Sequence, residues 1–189
     1  MENTKTKRLS TKSMVLCAMF TALVAVGAFI QIPVPYMDYF TLQFFFVLLA
    51  GLILGADKGA ISVGCYVLLG LVGVPIFAAG GGIGYIFRPS FGYLVGFIVS
   101  AYVTGKVCEK LKASYKNYLL ACLAGFVVTY AIGIVYKFII LNFYAHTPAT
   151  LGVIFLSCFP LDMPGDFVLC LLAAGVGLRM RKSGFYLSE

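Results

Sequence analysis

The sequence predicts an all-α integral membrane protein of six transmembrane helices with both termini in the cytoplasm. Three observations predict it. Of 189 residues, 61% are hydrophobic and 11% charged, whereas a soluble domain carries about a quarter of its residues as Asp, Glu, Lys and Arg, so too little polar side chain exists to cover a water-soluble globule. The apolar residues form continuous runs near the ~20 residues that span a bilayer as helix, not the polar–apolar alternation of a membrane barrel. The Lys and Arg residues collect on alternate connections between those runs.

The first run, Met14–Ile32, follows a basic segment, residues 1–13, carrying Lys5, Lys7, Arg8 and Lys12. Such a start resembles a secretory signal, but the run is about a full span long and five more follow, so an uncleaved first helix is expected. The next three runs, Tyr39–Leu54, Gly59–Ile76 and Ser90–Gly105, are shorter than the ideal length and are expected to tilt little or to include re-entrant backbone. Tyr118–Phe143 and Val153–Leu178 are long enough to cross outright. The membrane domain is therefore residues 14–178, followed by a basic tail, 179–189. No internal repeat or second domain shows, and no soluble catalytic domain fits beside the spans.

The net charge is +7, from 14 Lys and Arg against 7 Asp and Glu. With the N-terminus inside, the cytoplasmic segments hold the four N-terminal cations, Lys58, Lys106, Lys110, Lys112, Lys116, Arg179, Arg181 and Lys182, which is twelve of the 14. That asymmetry orients the chain by the positive-inside rule. Juxtamembrane clusters of this kind also argue against a nucleic-acid partner, which would call for a basic patch laced with aromatics. Six cysteines are scattered singly without CxxC spacing and the lone His146 lies in a connection, so neither a disulfide framework nor a metal site is expected.

The informative residues are those that span-building does not require. Gly80, Gly81, Gly82 and Gly84 precede Arg88 in the long connection Val74–Pro89; glycine permits positive φ and close approach, which suits either a loop folded over a cavity mouth or a merely flexible one. No Lys-Ser or Lys-Thr follows, so this is not a P-loop, and any ATPase must be another chain. Asp162 and Asp166 flank Pro164-Gly165 at the start of the sixth run; a carboxylate at membrane depth usually faces a cavity or a cationic partner, and Asp166, followed at once by apolar residues, is the stronger candidate of the two. Lys137 lies roughly 10 Å inside the fifth run at 1.5 Å per residue, either snorkelling to the headgroups or pointing inward. Gln43 places an amide in an apolar run, which is costly unless paired.

The ordered string Thr41-Leu42-Gln43, Leu49-Ala50-Gly51, Leu54-Gly55, the stretch Gly70–Ala78, the glycine run, Pro89–Phe97 and Pro164-Gly165-Asp166 resembles the BioY family, the biotin-capturing S components of energy-coupling factor (ECF) transporters. The resemblance covers nearly the whole chain in order and spacing. It implies a substrate-binding protein of the bacterial plasma membrane, without catalytic or metal-binding residues and with biotin as a transported ligand, not a cofactor. Its partners would be a transmembrane coupling protein and two ATPase subunits, and Ala18 and Ala22 look like the small-residue face on which the coupling protein docks. The pocket would lie at the outer face, with Phe77, Tyr85 and Tyr93 as walls, Gly81 in the covering loop, and Gln43, Arg88, Lys137 and Asp166 at the polar ends of the ligand. This chain departs from the family in two places: Leu169 stands where a lysine commonly follows the Pro-Gly-Asp aspartate, and Arg88-Pro89-Ser90 replaces Gly-Pro-Thr. Rival readings are an S component for a related carboxylated molecule such as dethiobiotin or lipoate, a membrane enzyme using Asp166, and a scaffold without a pocket.

Overall fold

The computed structural model describes residues 10–33, 39–147, 149–158 and 162–184. Within them lie seven α-helices and one short antiparallel hairpin. Helix α1, Thr11–Phe29, begins where the Ser10 side chain accepts a hydrogen bond from the Ser13 amide, satisfying one of the donors that a helix start leaves open. After it, β1 (Gln31–Pro33) pairs with β2 (Tyr39–Thr41), Gln31 opposite Thr41. The second expected span therefore loses its first four residues: α2 is only Gln43–Leu54, about 18 Å long. It is almost wholly buried, and its even hydrophobicity fits a helix enclosed on all sides.

Helix α3, Ala56–Val72, starts one residue after α2 ends. Gly55 makes that reversal with φ +82°, a conformation strained for any residue with a Cβ, and the Glu109 carboxylate accepts from the Ala56 amide at 2.8 Å. A 3₁₀ helix, Ile83–Phe87, then leads to α4, Phe91–Lys110, and α5, Tyr115–Ile139, which continues as a π-helical turn, Ile140–Tyr144. The expected sixth span, Val153–Leu178, is instead two helices, α6 (Leu151–Cys158) and α7 (Asp162–Lys182), so the six expected helices become seven among the described residues. Pro164 falls in the first turn of α7, where no amide hydrogen is needed. Among the described residues, α1, α4, α5 with its π turn, and α7 are long and apolar enough to cross a membrane.

Small residues bring the helices together. A Cβ at Gly105 on α4 would stand 2.4 Å from the Ala56 nitrogen, and one at Gly51 on α2 would stand 2.5 Å from the Ala101 carbonyl oxygen. Alternation of helix direction collects the start of α1, the α2–α3 reversal, the end of α4, the start of α5 and the end of α7 at one end of the bundle. Contacts confirm the grouping: Cys17 Sγ lies 3.7 Å from the Lys58 carbonyl, and the Arg181 guanidinium donates to the Tyr118 hydroxyl at 3.1 Å. Lys12, Lys58, Lys106, Lys110, Lys112, Lys116, Arg179, Arg181 and Lys182 all belong to this basic end; the terminal residues 1–9 and 185–189 lie outside the described residues. All six cysteines are free.

Candidate functional site

At the opposite end of the bundle, the β hairpin and the long α3–α4 connection fold over a cavity. Tyr39, Phe40 and Thr41 line it from the hairpin, Gln43 and Phe44 from α2, and Ala78, Tyr85 and Ser90 from the connection. Tyr93, Leu94 and Phe97 on α4, Tyr130 and Lys137 on α5, and Asp162 and Asp166 on α7 complete the wall. The connection is folded, not slack. Gly80 and Gly82 take φ of +111° and +101°, the Gly82 amide donates to the Gly70 carbonyl at 2.7 Å, and a Cβ on Gly81 would stand 2.3 Å from the Val74 carbonyl oxygen.

Asp166, Gln43, Lys137 and Tyr93 in the wall each have a specific partner. Tyr130 donates to Asp166 Oδ2 at 2.8 Å, which provides the hydrogen bond that a buried carboxylate requires. Thr41 donates to Gln43 Oε1 at 3.0 Å, Gln43 Nε2 donates to the Tyr66 hydroxyl, and Tyr66 donates to the Ile76 carbonyl at 3.1 Å. This relay ties β2, α2, α3 and the covering connection into one hydrogen-bonded unit. Lys137 points to the cavity, not out to lipid, and its Nζ donates to Ser157 Oγ on α6 at 3.3 Å. The Tyr93 hydroxyl lies 3.0 Å from Cys158 Sγ, a second tie to α6.

Gln43, Tyr85, Tyr93, Lys137 and Asp166 thus share one cavity. Phe77 lies behind the wall, 1% exposed, its ring 5.4 Å from that of Tyr66 and 4.6 Å from that of Tyr85. Gly81 and Arg88 are exposed and outside the lining; the Arg88 guanidinium carbon lies 5.4 Å from the centre of the Tyr85 ring. Leu169 is buried in the helix packing, also outside the lining. Ala18 and Ala22 are both exposed on α1. Sequence reasoning missed Tyr130, Ser90 and the cavity position of Asp162. Tyr130 had a signal: it precedes Lys137 by seven residues, which places both on one helical face, and a phenol in an apolar span needs a partner.

These features define a class: a helical membrane protein with a cavity near one end of its bundle and most of its described cations at the other, the layout of a transporter's substrate-binding component. The crystal structure of the S-component for biotin from an ECF-type ABC transporter has this fold, with a TM-score of 0.80 at 25% identity, covering 93% of this chain and 95% of that one. The chain belongs to the BioY family, whose model matches residues 2–184. The probable biotin transporter BioY of Lysinibacillus sphaericus is 40% identical over 177 residues, 93% of this chain and 90% of that protein. The biotin transporter BioY of Thermotoga maritima is 38% identical over 175 residues, 90% and 96% of the two chains.

Proposed function

We propose that this chain captures biotin at the outer face of the cell membrane and imports it as the S component of an ATP-driven ECF transporter. The observation that carries the reading is the Tyr130–Asp166 pair set in an aromatic cavity wall. A fixed, buried carboxylate accepts the N–H groups of a ureido ring, and apolar walls take the thiolane and alkyl tail. Gln43 adds an amide on the α2 side. Membership of the BioY family supports the same ligand.

The distribution of cations supports the orientation, with the basic end, both termini and residues 1–13 and 179–189 in the cytoplasm, and the cavity facing out. Ala18 and Ala22 offer a close-approach face in α1 for a transmembrane coupling protein, and two ATPase subunits on other chains supply the energy. Titration of the purified full-length chain with biotin tests ligand identity. Saturable sub-micromolar binding is expected, and no binding at millimolar biotin overturns the reading; competition by dethiobiotin or lipoate ranks the related carboxylates. Orientation is tested on whole cells, where an impermeant thiol reagent is expected to label Gly84→Cys and not Ser183→Cys; the reverse pattern overturns it.

A further inference from the structure

Biotin carries a carboxylate as well as a ureido ring. Among the described residues lining the cavity, the cation is Lys137; two carboxylates, Asp162 and Asp166, line it as well. An anionic tail placed beside those carboxylates would be repelled, so it must lie toward Lys137. Tyr130 and Lys137 are two helical turns apart on one face of α5, about 10 Å along the axis. An extended biotin with its ring at Tyr130–Asp166 reaches Lys137 with its tail.

Ser90 lies beside this path. Its hydroxyl is buried and has no hydrogen-bond partner, although it stands at the N-cap of α4, where such a group ordinarily bonds the helix's own amides. It lines the cavity. A Cβ on Gly92 would stand 2.3 Å from the Tyr136 Cβ, so the first turn of α4 presses against α5 one residue before Lys137. The partial positive charge of the α4 N-terminus faces the same region.

We infer that Lys137 Nζ and Ser90 Oγ together hold the carboxylate of the ligand. An ammonium has three donors, so Lys137 keeps its bond to Ser157 while engaging the carboxylate, and Ser157, itself donating to the Ile154 carbonyl at 2.7 Å, positions it. The inference rests on the biotin reading above and adds which residues select an acid over its neutral analogue.

The test pairs protein variants with ligand variants: calorimetric titration of wild type, Lys137→Gln, Lys137→Arg and Ser90→Ala with biotin and with biotinamide, which lacks the charge. Wild type is expected to prefer biotin by about tenfold to a hundredfold, the range of a charge-assisted hydrogen bond. Lys137→Gln should remove most of that preference by weakening biotin alone, Lys137→Arg should retain part of it, and Ser90→Ala should reduce it several-fold. If Lys137→Gln weakens both ligands equally, or neither, the assignment is overturned while biotin capture stands. If wild type binds neither ligand, capture and assignment fall together.

Discussion

Tyr130 on α5 donates a 2.8 Å hydrogen bond to Asp166 on α7, and the two helices pack directly against each other through the cavity wall. A neutral donor thus steadies one oxygen of a carboxyl group in the cavity wall. Asp166→Asn retains the shape and loses the charged acceptor, so biotin affinity is expected to fall about tenfold to a hundredfold, read by calorimetry. Tyr130→Phe leaves the buried carboxylate short of a donor and should lower the stability of the free protein by about 1–3 kcal/mol, read by thermal unfolding without biotin.

The Gln43–Tyr66 relay makes a different prediction. Tyr66→Phe removes the hydroxyl that accepts from Gln43 and donates to the Ile76 carbonyl, stranding the buried Gln43 amide and the half-buried carbonyl. A loss of about 1–3 kcal/mol is expected, with faster proteolysis in the connection 73–90, which that hydroxyl fastens to α3.

At the basic end, two partners of Glu109 differ in worth. Its bond to the Ala56 amide holds the α2–α3 reversal, whereas its 3.4 Å ion pair with Lys106 is half exposed. Glu109→Ala should cost about 1–2 kcal/mol, in the range for losing a helix cap. Lys106→Ala should cost less than about 0.5 kcal/mol, as exposed pairs do. Equal effects in thermal unfolding would refute this division.

The glycine contacts of α4 predict an intolerance to one methyl group. Gly105→Ala would press a Cβ onto the backbone of Gly55 and Ala56, which has no rotamer by which to yield. Destabilisation of about 1–3 kcal/mol is expected. Gly64→Ala on α3, where a Cβ meets nothing within 4 Å, is the matched control and should be neutral or slightly stabilising through higher helix propensity.

The long helices were legible because a bilayer demands a length and a composition that leave a plain mark on the sequence. The β hairpin was not, since strands of three residues within apolar runs have no period to detect, and they shortened α2 at its start. The division of the sixth run was not legible either, because hydropathy is continuous across it. In the site, Gln43, Lys137 and Asp166 stood out as polar groups that a membrane span does not need. Tyr130 was marked only by its spacing from Lys137, and Ser90 not at all, because serine is common in such helices and becomes telling only when the lack of a partner is seen. Arg88 was conspicuous in sequence yet lies outside the cavity lining, against the Tyr85 ring.

Helix α2, about 18 Å long, and α3, 17 residues or about 25 Å, each fall short of the ~30 Å hydrocarbon core, and a single glycine joins them. Neither covers that thickness by itself. Gly55, at φ +82° and with the Glu109 carboxylate 2.9 Å from where its Cβ would stand, therefore sets the depth of two helices at once, and a side chain there would strain the reversal and displace the carboxylate that holds it.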